Sequence, residues 1–410
     1  TFMQLLLFAC AALLSIWLTF GSLGPLLSHI MENGIVWWTA LLDRTLQGAG
    51  CTPMLQDLMI CGICTGVGSV LSFVPTIAVL FFCLSCWESS GVLAMLSRAL
   101  DRPMRRLGLS GDCAMPLLLG FGCAVPAIMQ AEQLPTRKEK RLTIFLIPFL
   151  SCSAKLPLYT LLAAAFFGEQ QFLLIGGLYL SGILLGFALL RLRTQLLSRS
   201  FGPACRAHGA HCTHSIANTS KSTPQAATRL RLPDLPAACA QAWTNSSAYM
   251  QKIFTIVLLA SSVIWALEHL TPAFTQTTAP QQSMLASIGR TIAPLFAPLG
   301  FGDWRAAAAL LTGLSAKEAI VSTLAVLADA QTPPQAAGDM LTQMLTPLSA
   351  LSFAVFSLLY MPCIATFAAV KKALGGLRPA LAMLFTQTMI AWLAACFLWQ
   401  AGSYILRFCS

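Results

Sequence analysis

Long uncharged stretches alternate with short basic ones along this chain, and that alternation predicts membrane-crossing helices. Five apolar runs lack any Asp, Glu, Lys or Arg: Thr1–Met31, Leu58–Trp87, Phe172–Leu190, Leu341–Val370 and Pro379–Leu406. Each approaches or exceeds the ~20 residues that cross a bilayer as a helix. Thr143–Phe167, Ile253–Leu270 and Ala306–Leu327 are also apolar but are interrupted by Lys155, Glu268, Lys317 and Glu318. The expected fold class is an all-α polytopic membrane protein with roughly eight to nine transmembrane or re-entrant helices.

The basic residues lie between the apolar runs, at Arg98–Arg106, Arg137–Arg141, Arg191–Arg231 and Lys371–Arg378. Cytoplasmic loops carry such an excess of Lys and Arg. Placing all four clusters on one side requires the 113–134 segment to dip in and return, as must one element between 303 and 345. Hydrophobic residues make up 57% of the chain and charged residues 10%, with a mean hydropathy of +0.73. The net charge of +10 is therefore a loop property, with no basic face for a nucleic acid.

Thr1–Phe20 reads as a first membrane helix whose upstream partner is missing from this chain. Residues 198–248 are rich in Ser, Thr, Pro, Ala and Arg with little periodicity, which reads as a flexible cytoplasmic linker. The expected organisation is a first helix and connecting segment over 1–58, a first repeat over 59–197 and the linker over 198–248. A second repeat and C-terminal helices follow over 249–410.

Candidate chemistry sits where glycine and proline interrupt apolar segments. Cys123 lies in GFGCAVPAI (120–128), Cys152 in PFLSCSAKLPLY (148–159) and Cys363 in LYMPCIAT (359–366). Gly122, Pro126, Pro157 and Pro362 break the helical ladder and free backbone carbonyls. The thiols add soft ligands beside them, suited to a transition-metal ion. Irregular backbone at membrane depth persists only where protein or a water path surrounds it, so these segments read as parts of a permeation route. Most of the fifteen cysteines lie scattered in apolar runs and behave as small hydrophobes, without the spacing of a disulfide framework. Met361, Ser151 and Ser153 complete a few-ligand, exchangeable set for a divalent cation.

GLSAKEAIVST (313–323) repeats Ser153-Ala154-Lys155 as Ser315-Ala316-Lys317, followed by Glu318. With a Pro-Cys element in each half, this points to two gate-type repeats whose broken helices meet near the midplane. Lys155 and Lys317 repel cations and are expected to pair with an acid or with carbonyls and hold a gate closed. Glu88 directly follows an uncharged run, and an acid at membrane depth points to an ion path. The linker holds Cys205, His208, His211, Cys212 and His214, an accessory metal loop or a variable loop without a role. A Ser-Lys hydrolase at Ser153 or Ser315 is disfavoured, because residues two apart on a helix point away from each other.

The run from WESSG (87–91) through DRPMRRLGLSG (101–111), GFGCAVPAI and PFLSCSAKLPLY resembles the membrane domain of the ferrous iron transport protein B (FeoB) family. LSAKEAIVSTL (314–324) and LYMPCIAT continue the resemblance in the same order. It implies a transporter rather than an enzyme, importing Fe²⁺ across a bacterial inner membrane. Cys123 and Cys152 would belong to a first gate and Cys363 to a second, with Glu88 matching a family acid. The implied partners are the bilayer, a GTP-binding domain in cis or in trans, small cytoplasmic accessory proteins and a homo-oligomer. Departures are Glu132 and Lys155 where the family carries Arg, and Val92 where it carries an aromatic. No GxxxxGK[ST] phosphate loop occurs in the sequence, so no nucleotide site is expected in it. A transporter of nucleosides or another solute with similar repeats is the alternative.

Overall fold

A computed structural model describes residues 17–48, 64–200, 234–327 (save 274, 276 and 278), 341–360 and 363–409, with positions 14, 56, 59 and 60. Its regular elements are helices, as the apolar runs require. A π-helical turn at Trp17–Ser22 leads into α1 (Leu23–Gly48), which packs beside α2 (Thr65–Ser90). After α3 (Val92–Arg106) come two short helices, α4 (Ala114–Gly122) and α5 (Ala124–Ala131), then α6 (Arg137–Leu146), α7 (Leu156–Phe167) and α8 (Gln171–Ser200). The second half contains α9 (Leu235–His269), α10 (Met284–Phe296), α11 (Trp304–Thr312) and α12 (Ala319–Leu327). It closes with α13 (Pro347–Leu359), α14 (Ile364–Ala373) and α15 (Leu377–Cys409).

Among the described residues four helical stretches are long and apolar enough to cross a membrane: Arg137–Phe167, Gln171–Arg193, Pro347–Ala373 and Leu377–Phe408. The pair Met284–Leu299 and Trp304–Thr312, bent by 105°, makes a fifth if counted as one span. The expected eight to nine are thus not reached among the described residues. Ala306–Leu327, one run by hydropathy, is split between α11 and α12, and shorter apolar helical stretches lie at Val74–Trp87 in α2 and Leu258–His269 in α9.

The spans divide by environment. Arg137–Phe167 and Pro347–Ala373, both interrupted, are mostly buried, whereas α8 and α15 are mostly exposed. Phe172, Leu173, Leu184, Phe385, Phe397 and Phe408 point outward from these two. Unbroken helices need no help from neighbours, because their backbone groups pair within the helix. The broken spans need that help and lie inside.

Two local sequence features bring the layers together. Gly182 and Gly186 of α8 form a G-x-x-x-G step, which lets helices approach closely in an apolar medium. A methyl at Gly182 would stand 2.7 Å from the Phe149 carbonyl oxygen, and one at Gly186 would stand 2.9 Å from the Leu146 side chain. On the other side, an aromatic chain runs from the α10–α11 bend to the end of α13. Phe301 meets Phe353 edge-on at 5.2 Å, Phe296 meets Phe356 edge-on at 5.3 Å, and Phe356 stacks on Tyr360 at 5.3 Å. Each such pair contributes about 0.5–1.5 kcal/mol beyond area burial.

The linker expectation needs correction at its end. Residues 235–248 are the first turns of α9, not flexible chain. Ala238, Ala242 and Ser246 recur every four residues and are all buried. Ala242 packs in one cluster with Phe81 of α2, Val125 and Ala365. An alanine-rich stripe buries little apolar area by composition, yet it lets α9 lie close against α2. Cys205, His208, His211, Cys212 and His214 fall outside the described residues.

Gly182→Ala forces α8 away from the broken span or displaces Phe149. The expected cost is about 1–3 kcal/mol, as for other overpacked interiors. It is read as a lower midpoint of thermal unfolding in detergent, and an unchanged midpoint would show that α8 is not seated by this glycine.

Candidate functional site

The helix breaks predicted from glycine, proline and thiol positions converge inside the protein. At the first, α4 ends at Gly122 and Cys123 turns extended, with φ −148° and ψ 130°, before α5 begins. Pro126 lies in the first turn of α5, where an N–H has no intrahelical acceptor anyway. The Gly122 carbonyl freed by the break accepts from Ser153 Oγ at 3.1 Å. Ser153 belongs to the second break, a 3₁₀ turn at Ser153–Lys155 that follows extended Cys152 and leads into α7 through Pro157.

The third break separates α13 from α14, and Cys363 is the N-cap residue of α14. Its Sγ lies 3.2 Å from Thr366 Oγ1. The fourth, between α11 and α12, holds Ser315, Lys317 and Glu318. These two are stitched together where the Ile364 amide donates to the Leu314 carbonyl at 2.7 Å. Each interrupted ladder thus finds its missing partner on another interrupted ladder.

Both lysines are buried. Lys155 Nζ donates to the Leu358 carbonyl at 2.6 Å, near the end of α13. The Lys317 ammonium lies 3.2 Å from the centre of the Tyr360 ring, whose hydroxyl donates to the Leu310 carbonyl at 3.3 Å. A buried ammonium is costly unless paired or cradled, and here each has an acceptor or a π-face. Cys123, Cys152 and Cys363 lie within electrostatic reach of one another, Cys123 and Cys152 also of Glu318, and Cys152 also feels both lysines. Cys123 and Cys363 are half-buried and pack on the same small cluster around Phe81 and Val125.

The described atoms do not make a closed metal cage. Among the described residues no group of three or more His, Cys, Asp and Glu side chains is set to hold an ion. Ser151 Oγ donates to Tyr159 Oη at 3.4 Å, and Ser315 Oγ donates to the Thr312 carbonyl at 2.7 Å. With Ser153 bonded to Gly122 and Lys155 to Leu358, the hydroxyls serve the backbone rather than a Ser-Lys pair. Glu88 is the third residue from the end of α2; Met361 and Pro362 lie outside the described residues.

Tyr360 escaped the sequence reading, although it stands directly before the Met-Pro-Cys run. A Tyr in an apolar segment gives no signal of its own, and only the fold shows Lys317 over its ring. Glu268, which interrupts the apolar run Ile253–Leu270, is half-buried; it accepts from Thr323 Oγ1 at 3.5 Å, and that hydroxyl also lies 2.9 Å from Thr312 Oγ1.

A family model described as "Gate: Nucleoside recognition" matches residues 70–166 and 250–377, more than half of the chain. The chain belongs to this gate family. Among curated proteins it is 36% identical over 340 residues to an "Fe(2+) transporter FeoB" of Staphylococcus aureus (strain COL), covering 82% of this chain and 47% of that protein. The FeoB of Methanocaldococcus jannaschii is 33% identical over 348 residues, covering 83% and 49%. An "Fe(2+) transport protein A/Fe(2+) transporter FeoB fusion protein" of Porphyromonas gingivalis is 30% identical over 419 residues, covering 91% and 47%. The similarity matches the FeoB membrane domain, and the chain spans about half the length of these curated relatives. No solved structure matches.

The two gate-family segments contain all four breaks. The first holds Cys123, Cys152 and Lys155; the second holds Lys317, Glu318 and Cys363. All of α1 and the 201–233 stretch lie outside the match.

Lys155→Met removes the donor that satisfies the buried Leu358 carbonyl. A buried acceptor left bare costs about 1–3 kcal/mol. The expected outcome is a lower midpoint of thermal unfolding, whereas Lys155→Arg recovers part of the loss by offering another donor. Equal midpoints for the parent and the Met variant would mean that the carbonyl finds another partner.

Proposed function

We propose that this chain is the permeation unit of a ferrous-iron importer of the bacterial inner membrane. In this reading Fe²⁺ passes between two gate repeats, the first built on the breaks at Cys123 and Cys152, the second on those at Lys317 and Cys363. What supports it is that three thiols, each at a helix break, lie within electrostatic reach of one another, with Cys123 and Cys363 packed on one apolar cluster. The relatives named Fe(2+) transporter supply the ion.

Fe²⁺ accepts thiolate, carboxylate and carbonyl ligands. A conduction path needs few of them, because a tight cage would retain the ion. Sulfur from Cys123, Cys152 and Cys363, with freed carbonyls, would meet that need in succession. Met361 and Glu88 add a thioether and a carboxylate to the candidate set. Ser151 and Ser153 join it only when their bonds to Tyr159 and Gly122 open. In the described state Lys155 and Lys317 place two positive charges beside the thiols, and an approaching dication is repelled until they move. This makes the lysines gate elements: Lys155 occupies a carbonyl that the ion would otherwise use, and Lys317 rests on Tyr360.

A GTP-binding domain, which the FeoB family implies, would act on this unit in cis or in trans. The fusion relative's name points to an accessory partner of the Fe(2+) transport protein A type. The Cys/His loop at 205–214 would serve as a cytoplasmic metal acceptor, and a homo-oligomer is compatible with the exposed apolar faces of α8 and α15. The nucleoside alternative rests on the family description alone and has no site residue in its favour.

The test is uptake of radio-iron by proteoliposomes containing the chain. Cys123→Ser, Cys152→Ser and Cys363→Ser should each lower the rate by at least the ~10-fold that loss of even an outer-shell metal partner costs. Undiminished uptake in the triple Ser variant would remove the thiol path. Nucleoside uptake that ignores these substitutions would favour the other substrate class.

A further inference from the structure

A cavity of about 1130 Å³ lies between α1 and α2 on one side and α4 and α7 on the other. Its α1 wall includes Ser28, His29 and Glu32. Spacings of three and four residues put Glu32 on the same helix face as His29 and Ser28. Ser28 Oγ lies 2.9 Å from Thr76 Oγ1 of α2, which pins this face against its neighbour. His29 Nδ1 stands 3.5 Å from Glu32 Oε2, with 75% and 54% of the two side chains exposed. They therefore sit at the mouth. Gly122, Ser153 and Glu318, which belong to the helix breaks, line the same cavity.

This placement is unusual for its surroundings. Leu26, Leu27, Ile30, Met31, Trp37 and Trp38 are exposed on α1 and give it an apolar outer surface. An imidazole–carboxylate pair amid such a surface opens onto a largely apolar chamber, and the acid Glu318 lies at another wall. Low-dielectric walls focus the field of the few charges they enclose. An imidazole nitrogen and a carboxylate oxygen are both ordinary ligands for a borderline divalent cation. Two protein ligands leave the remaining coordination positions to water, so the ion is held weakly and exchanges readily.

We propose that His29 and Glu32 form a capture site for a divalent transition-metal cation at the mouth of this cavity. From it the ion is handed to Glu318 and the helix breaks. The inference deepens the iron-transport reading and rests on it for the identity of the ion. Its site lies on α1, outside both segments matched by the gate family.

Binding and transport are measured separately so that the two readings fail separately. The full chain in lipid nanodiscs is titrated with Co²⁺, a spectroscopic stand-in for Fe²⁺. The comparison uses a parent in which Cys205, His208, His211, Cys212 and His214 are replaced by Ala so that the linker holds no metal, that chain with Cys123, Cys152 and Cys363 also replaced by Ser (the triple Ser variant), and the triple Ser variant with His29→Ala and Glu32→Gln added. The triple Ser variant should retain a Co²⁺ site with nitrogen and oxygen but no sulfur ligation, and the added pair should abolish it. A triple variant that binds no Co²⁺, or a site that persists with unchanged affinity after the added pair, overturns the proposal. In proteoliposomes, His29→Ala with Glu32→Gln in the otherwise native chain should raise the half-saturating Fe²⁺ concentration about tenfold, equivalent to ~1.4 kcal/mol. The maximal rate should be retained, and Glu32→Asp should restore much of the affinity. Both side chains are largely exposed, so the fold should tolerate their loss. An unchanged half-saturation in a transporting protein rejects the capture role and leaves the iron path standing. A parent that takes up no iron rejects the path, and the capture site then stands or falls on the Co²⁺ titration.

Discussion

Every backbone amide and carbonyl released where a helix breaks must find a partner inside the protein, because lipid offers none. That requirement organises this structure. Ser153 reaches across to the Gly122 carbonyl, the Ile364 amide to the Leu314 carbonyl, and Lys155 to the Leu358 carbonyl. The breaks must consequently lie together, since each is completed by another. The unbroken α8 and α15 can be left facing outward for the same reason. The G-x-x-x-G face of α8 and the aromatic chain from Phe301 to Tyr360 then hold this interior assembly in place.

A site built this way is exchangeable by construction. Its polar atoms are committed to neighbouring breaks by single hydrogen bonds, and a passing ion competes with those bonds rather than filling a vacant cage. The two lysines make that competition electrostatic as well. A cation that enters meets the Lys155 ammonium on the Leu358 carbonyl and the Lys317 ammonium over the Tyr360 ring. The balance between the two arrangements is the kind of narrow difference that a regulatory domain can tip.

Parts of this were legible before any coordinates. The breaks at Cys123, Cys152 and Cys363 follow from Gly and Pro in apolar runs, since those residues cannot sustain the helical ladder. The pairing role of Lys155 also follows, because a buried ammonium needs an acceptor. Hydropathy sees Ala306–Leu327 as one segment and cannot see the split between α11 and α12. The ordered start of α9 was missed as well. Ala238 and Ala242 carry little hydropathy, and their value lies in how closely they let another helix approach. His29 and Glu32 carried no motif, and only the cavity beside them gives the pair a direction.

The chain by itself determined that it is helical, that it belongs in a membrane, and where its helices must fail. These are local properties, set by transfer free energy and by the backbone chemistry of Gly and Pro. The tertiary structure alone decided which break completes which, that the three thiols share one interior, and that Tyr360 lies under Lys317. Such pairings join residues as far apart as Lys155 and Leu358, and no local preference encodes a partner two hundred positions away. They arise because the buried polar groups of the whole assembly have to be satisfied at once.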